Sequence, residues 1–164
     1  MAQTTSGTAQ VALPADNQIL ITREFQAPRH LVWRAYTTPE LVKRWWGGKR
    51  GTVDSAEIDL RVGGRWRFVM TANGGFEVAF HGEYREIDEP ARLVSTETYE
   101  GIPHPEEHSS LNTLTFTETD GRTWMEMLCE YPSRTDRDAV IDSGMEGGMQ
   151  ESMDALEQLA ASLA

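Results

Sequence analysis

Residues 134–163, RTDRDAVIDSGMEGGMQESMDALEQLAASL, decide how this chain folds. Ile141, Met145, Met149, Met153, Leu156, Leu159 and Leu163 recur there at spacings of three and four, the signature of one apolar side of an α-helix. The spacing predicts a single long helix from about Arg134 to Leu163. Such a stripe has to be buried against another element. Gly144, Gly147 and Gly148 each weaken that helix by roughly 1 kcal/mol relative to Ala. Close approach to a neighbouring element, or room for a ligand, is the expected reason for them.

The partner surface lies upstream. From Thr52 onward the period changes to alternation, interrupted about every ten residues by turn signals at Val62-Gly63-Gly64, Asn73-Gly74-Gly75, Asp88-Glu89-Pro90 and Asp120-Gly121. These delimit about six strands of an antiparallel meander. Trp66, Phe68 and Met70 share one side of their strand, and Phe76, Val78, Phe80, Gly82 and Tyr84 share one side of the next. The pattern returns at Leu114 and Phe116, and then at Met125, Met127, Cys129 and Tyr131 opposite Trp124, Glu126, Leu128 and Glu130, so one face is apolar and the other wet in all but this last strand, whose faces are ambiguous.

Before the meander, Ile19 to Phe25 reads as a first strand that stops at Ala27-Pro28. Pro28 suits the start of a helix, because the N–H it lacks would have no intrahelical partner there. That helix runs to about Tyr36 with Leu31, Val32 and Ala35 on one face. Thr38-Pro39-Glu40 opens a second, Leu41 to Trp46, which Gly47-Gly48 ends. The order gives an α+β, helix-grip architecture: a curved antiparallel sheet of about seven strands around the C-terminal helix, with two short helices after the first strand. Residues 1–17 read as a disordered tail and residues 18–164 as one domain.

Composition narrows the function. With 164 residues, one domain with a sizeable core is expected. The formal net charge of −11 and the scattered Lys and Arg make nucleic acid a poor partner. No stretch approaches the roughly 18 apolar residues of a membrane span. The N-terminus lacks the pattern of a secretory signal, so a cytoplasmic location is expected. Cys129 is the only cysteine, which excludes an intramolecular disulfide and suits a small core residue.

Few motifs suggest chemistry. His104-Pro-Glu-Glu-His108 has two histidines four apart, but Pro105 stands where a zincin needs Glu, so a solvated loop is expected. His30 and His81 have no evident nucleophile partner, and Gly144-Met-Glu-Gly-Gly148 lacks the Lys-Ser/Thr of a phosphate loop. No metal or cofactor is therefore expected. Glu97 shares a side with Leu93, Ser95 and Tyr99 in a strand facing the helix. A one-residue bulge or an edge position turning it to water is the simpler expectation. If it points inward instead, it is the best polar candidate in the interior, with a pKa that burial would raise.

Trp33, Phe25 and Leu156 read as core. Trp46, Trp66, Phe68, Met70, Phe80, Phe116, Met127, Met145 and Met149 are candidates for lining an adaptable apolar pocket, since flexible Met beside aromatics suits one.

An ordered set of motifs supports a family resemblance spanning roughly Ile19 to Leu163. The set comprises Phe25-Gln26-Ala27-Pro28 with Val32-Trp33-Arg34-Ala35, Thr38-Pro39-Glu40-Leu41 with Trp45-Trp46-Gly47, Asp59-Leu60-Arg61-Val62-Gly63-Gly64 with Trp66, and Ser143-Gly144-Met145 with Gly148. With these the chain resembles the SRPBCC, or START-like, superfamily, in the branch related to activators of the heat shock protein 90 ATPase. Gly48 replaces the family's usual proline, which predicts a freer loop.

The resemblance implies a helix-grip fold, like that of the birch pollen allergen, with a hydrophobic cavity between sheet and C-terminal helix. It implies binding of a small hydrophobic molecule of lipid, polyketide or aromatic type, without catalysis or with weak catalysis. Glu97, Tyr84 and Tyr99 would supply polar selectivity. Two alternatives accompany it: a chaperone cofactor acting through its outer surface, and a cyclase or hydrolase acting on a cavity-bound substrate. A monomer or a homodimer is expected, with the sheet edges and Trp124 as the surfaces a dimer would use.

Overall fold

The computed structural model describes residues 9–164. One eight-stranded antiparallel sheet, ordered β1-β2-β8-β7-β6-β5-β4-β3, is built from β1 (Gln10–Ala12), β2 (Gln18–Phe25), β3 (Gly51–Ile58), β4 (Arg65–Ala72), β5 (Glu77–Asp88), β6 (Arg92–Tyr99), β7 (Ser110–Thr119) and β8 (Arg122–Glu130). Helices α1 (Arg29–Thr37) and α2 (Pro39–Trp45) follow β2, and α3 (Arg134–Asp142) and α4 (Met145–Ser162) close the chain. No helix among the described residues is long and apolar enough to cross a membrane.

Three expectations change. Of the expected tail, residues 1–8 lie outside the described residues, while Gln10–Ala12 form an edge strand paired with Leu20–Thr22. Three residues are too short for alternation to reveal, and the strand is fastened by a distant side chain. Gln150 Oε1 accepts from Ala9 N at 3.0 Å, and Gln150 Nε2 donates to Ala9 O at 2.8 Å. This edge strand makes the sheet eight-stranded.

The predicted single C-terminal helix is two helices. Gly144 has φ of +80°, a left-handed conformation open to glycine and awkward for other residues. The 3.6-residue period continues across the break, so periodicity alone does not reveal it. Phe76, expected on the apolar face, lies in the β4–β5 turn and is exposed.

The core gathers on one side of the sheet. Ile19, Phe25, Phe116 and Met125 from the strands meet Val32 and Val42 from α1 and α2 and Leu156 and Ala160 from α4, all essentially inaccessible. In their midst Arg23 occupies an inward position of β2, between Ile21 and Phe25, and is 1% exposed. Its Nη1 reaches Asp154 Oδ1 at 2.6 Å and its Nη2 reaches Glu157 Oε1 at 2.9 Å, both on α4. Glu157 Oε2 also accepts from Gln26 N at 2.8 Å.

The loop between β6 and β7 is held from two sides. His81 Nδ1 lies 2.7 Å from Glu100 and its Nε2 lies 2.7 Å from Glu106, in a 3₁₀ turn over Pro105–His108. Arg67, the cross-strand neighbour of His81, binds Glu100 through both Nε and Nη2. His108 Nδ1 bonds Asp136 of α3 at 2.8 Å. Burial lowers the pKa of His81, but hydrogen bonds to Glu100 and Glu106 outweigh it and leave the pKa raised. Arg67 foremost, opposed by partial burial and assisted by His81, holds the Glu100 carboxyl at about 2.

Two outcomes follow from these contacts. Removing both carboxylates, Asp154→Ala with Glu157→Ala, leaves a buried guanidinium unpaired and is expected to cost about 3–5 kcal/mol. Arg23→Met should cost less, since Asp154 is 57% exposed and Glu157 keeps its bond from Gln26 N. Urea denaturation orders the two, and a costlier Arg23→Met would refute the assignment.

The His81 contribution should be full below the ordinary histidine pKa of 6.5 and lost as pH rises through the raised folded value. The Glu100 contribution should be present above 4.5 and lost as pH falls toward 2. The stability gap between wild type and His81→Gln should therefore be wider at pH 5.5 than at pH ~8.5. A gap independent of pH would contradict it.

Candidate functional site

The interior contains a cavity of about 60 Å³ walled by Tyr36 of α1, Trp45 of α2, Trp46 immediately after it, and inward residues of β4 to β8: Trp66, Phe68, Tyr84, Leu93, Ser95, Glu97, Asn112, Leu114 and Met127. Its location corrects an expectation, because no residue of α4 lines it. Both short helices pack on α4, while α2 also packs on β3 and α1 on β7 and β8. The stripe of α4 packs on α1, α2 and the core instead.

Aromatic contacts shape the wall. Trp45 is fixed by donation from Nε1 to Ala35 O at 2.9 Å, with Tyr36 lying 5.2 Å from its ring. Trp46 stands edge-on to Phe68 at 5.5 Å and to Phe80 at 5.6 Å. Trp66 lies 4.8 Å from Phe68. Gly82 makes room for this arrangement, since a Cβ there would collide with the Thr96 carbonyl and the Trp66 indole.

The loop after Trp46 is anchored rather than free. Gly47 N donates to Ser152 Oγ at 3.1 Å and Lys49 N to Glu151 Oε1 at 3.2 Å. Gly48 has φ of +57°, which proline, locked near −65°, cannot adopt. The departure from the family pattern therefore accompanies a different turn docked closely against Glu151 of α4. Gly147 and Gly148 face the Arg50 side chain and not the cavity.

Glu97 points inward. The β6–β7 ladder runs without a shift from Arg92↔Thr115 to Glu97↔Ser110, and the bulge in the β5–β6 ladder falls at Tyr84/Glu86, so the expected turn to water does not occur. Ser110 Oγ donates to Asn112 Oδ1 at 3.0 Å, and Asn112 Nδ2 donates to Glu97 Oε1 at 3.2 Å. Burial pushes the Glu97 carboxyl up, and the Asn112 bond only partly opposes this. The Tyr36 phenol and the Cys129 thiol are also driven up, first by burial and then by the nearby Glu97 charge. Burial, Cys129 and Glu97 act in that order on Tyr131. Tyr84 is raised by burial and Asp59. Cys129 is thus a buried thiol kept from its reactive form.

Of the eleven candidates, the structure brings Trp46, Trp66, Phe68, Glu97 and Met127 together on the cavity wall. Six lie off it. Met70 packs beneath Gly47, Phe80 stacks between Trp46 and Tyr99, and Tyr99 is 38% exposed. Phe116 is core against Trp33 and Tyr36, and Met145 and Met149 are half-buried around the core. Besides Tyr84, expected to supply polar selectivity, the wall contains Tyr36, Trp45, Leu93, Ser95, Asn112 and Leu114, which were not among the candidates. Tyr36 lies four residues after the recognised Val32 on a helix, and Asn112 two residues before Leu114 on an alternating strand, so both periodicities carried the signal.

A larger concavity of about 420 Å³ lies on the β3–β4 turn, lined by Glu57, Asp59, Arg61 and Arg65 among others. Its open, charged wall lacks the converging apolar side chains of the interior site. Among the described residues, no group of three or more His, Cys, Asp or Glu could hold a metal ion.

Comparison with known proteins places this geometry. A crystal structure from Rhodobacter sphaeroides superposes with a TM-score of 0.85 at 26% identity, covering 95% of this chain and 99% of that one. One from Mycobacterium smegmatis gives 0.82 at 28% identity over 93% and 96%. An AHSA1-like protein from Aeromonas hydrophila shares the fold at 20% identity, with a TM-score of 0.67 over 88% of this chain and 93% of that one. No curated protein matches the sequence at a significant level. The sequence model of the activator of Hsp90 ATPase homolog 1-like proteins matches residues 26–161, and the chain belongs to that family.

Proposed function

We propose that the protein binds a small hydrophobic molecule in the interior cavity. The observation carrying this is the convergence of Trp46, Trp66, Phe68, Tyr36 and Met127 around an enclosed space that also contains one carboxyl group. Apolar burial at about 25 cal/mol per Å² would drive affinity. At about 60 Å³ the space is far below the roughly 300–1,000 Å³ of a ligand site, so entry requires its walls to move. Half-buried Trp46, next to two glycines, and flexible Met127 are the groups suited to do so.

The family's description as an activator of an Hsp90 ATPase favours a second reading, in which an outer surface meets a chaperone. Stimulation of such an ATPase that persists when the cavity is filled would support it.

Titration of tryptophan fluorescence with lipids, flavonoids and aromatic polyketides should give saturable binding to at least one class. Met127→Trp fills the cavity and should abolish that binding while preserving the far-ultraviolet circular dichroism of the fold. Undiminished binding by this variant, or none by the wild type across the panel, would overturn the cavity reading.

A further inference from the structure

The cavity wall is electrostatically one-sided. Glu97 is its only carboxyl, and no Lys, Arg or His lines it. Among the described residues Glu97 forms no ion pair, and its one hydrogen-bond donor is the neutral Asn112 amide on Oε1. Oε2 is left to the cavity. The other titratable groups nearby are Tyr36 from α1 and Tyr84 from β5, on the wall, and Cys129 and Tyr131 from β8 and the residue after it, off the wall, all favoured in their neutral forms by burial. None supplies positive charge.

A buried carboxylate without a counter-ion is costly, whereas one paired with a hydrogen-bonded cation is not. An arriving ammonium group would meet Oε2 directly and have aromatic faces around it, the combination that favours cations over neutral groups. A carboxylate ligand would meet the like charge of Glu97 with no cation in reach, and only the neutral donors of Tyr36, Tyr84 and Trp66 Nε1 to bond it. The Ser110–Asn112–Glu97 relay fixes the carboxyl in advance, so little ordering is required when the ligand binds.

We propose, building on the cavity reading above, that the preferred ligand is a small apolar amine held as its cation by Glu97 within the aromatic wall. The body of the molecule lies against Trp46, Trp66 and Phe68, and its N–H groups donate to Oε2. Binding of the cation keeps Glu97 ionised, so affinity for an amine falls as pH is lowered and the carboxyl takes up a proton.

Benzylamine, benzyl alcohol and benzoate are near-isosteric probes that separate charge from shape. Titrated by tryptophan fluorescence at neutral pH, benzylamine should bind at least about tenfold tighter than benzyl alcohol, and benzoate should bind weakest. Glu97→Gln should erase most of the amine-to-alcohol ratio, with near-ultraviolet circular dichroism reporting its packing. The wild-type ratio at two pH values gives an independent readout that needs no variant, and it should shrink toward acid. Equal binding of amine and alcohol, or a ratio unmoved by Glu97→Gln and by pH, overturns the amine assignment and leaves the apolar cavity standing. Failure of all three probes to bind overturns both.

Discussion

The ion pair that seats α4 on the sheet is the constraint on which the rest of the structure depends. Arg23 places a full positive charge in the inward row of β2, among Ile19, Ile21 and Phe25, where desolvation would be prohibitive without compensation. Asp154 and Glu157, three residues apart and hence on one side of α4, provide it. An apolar stripe alone tolerates sliding or rotation of a helix. Two charged contacts from one buried guanidinium do not. Glu157 also bonds the Gln26 amide beyond β2, so the position of α4 is coupled to the chain that enters α1.

Fixing α4 in this way also fixes what it does not do. Its beginning is held by Gln150 to Ala9 and by Glu151 and Ser152 to the loop following Trp46. Those contacts hold the loop that follows the Trp45-Trp46 pair, which stands on the cavity wall while no residue of α4 does. The result is a site whose aromatic lid and sheet floor are each anchored elsewhere. The lid is joined to the long helix through a loop of two left-handed glycines.

Much of this arrangement was legible in the sequence because it follows period. Strand alternation identified the inward faces bearing Trp66, Phe68 and Met127 and put Glu97 on the same side, against the simpler expectation of a turn to water, and the three-and-four spacing identified the buried side of α4. What was missed does not follow period. Gly144 breaks the helix without disturbing its stripe, and β1 is held by a glutamine about 140 positions away. The stripe revealed that α4 must be covered but not by what, so Met145 and Met149 looked like cavity residues, whereas they pack around the core and line no part of the cavity. The strand reading of Ile19 to Phe25 passed over the buried charge of Arg23, whose partners lie at the far end of the chain.

Glu97 and Glu100 show how the fold gives one residue type two opposite characters. They are three residues apart, at the end of β6 and just beyond it. Glu100 turns outward to Arg67 and His81, and its carboxyl is held at about 2. Glu97 turns inward to a single amide among aromatic rings, and its pKa is raised. Neither property follows from net charge, since a chain with formal charge −11 has acids to spare on its surface. The difference comes from the counter-ion, supplied by the protein to one residue and withheld from the other. On the proposed reading, the Glu97 carboxyl is therefore the place in the cavity where a bound molecule, and not the fold, would determine whether a charge is present.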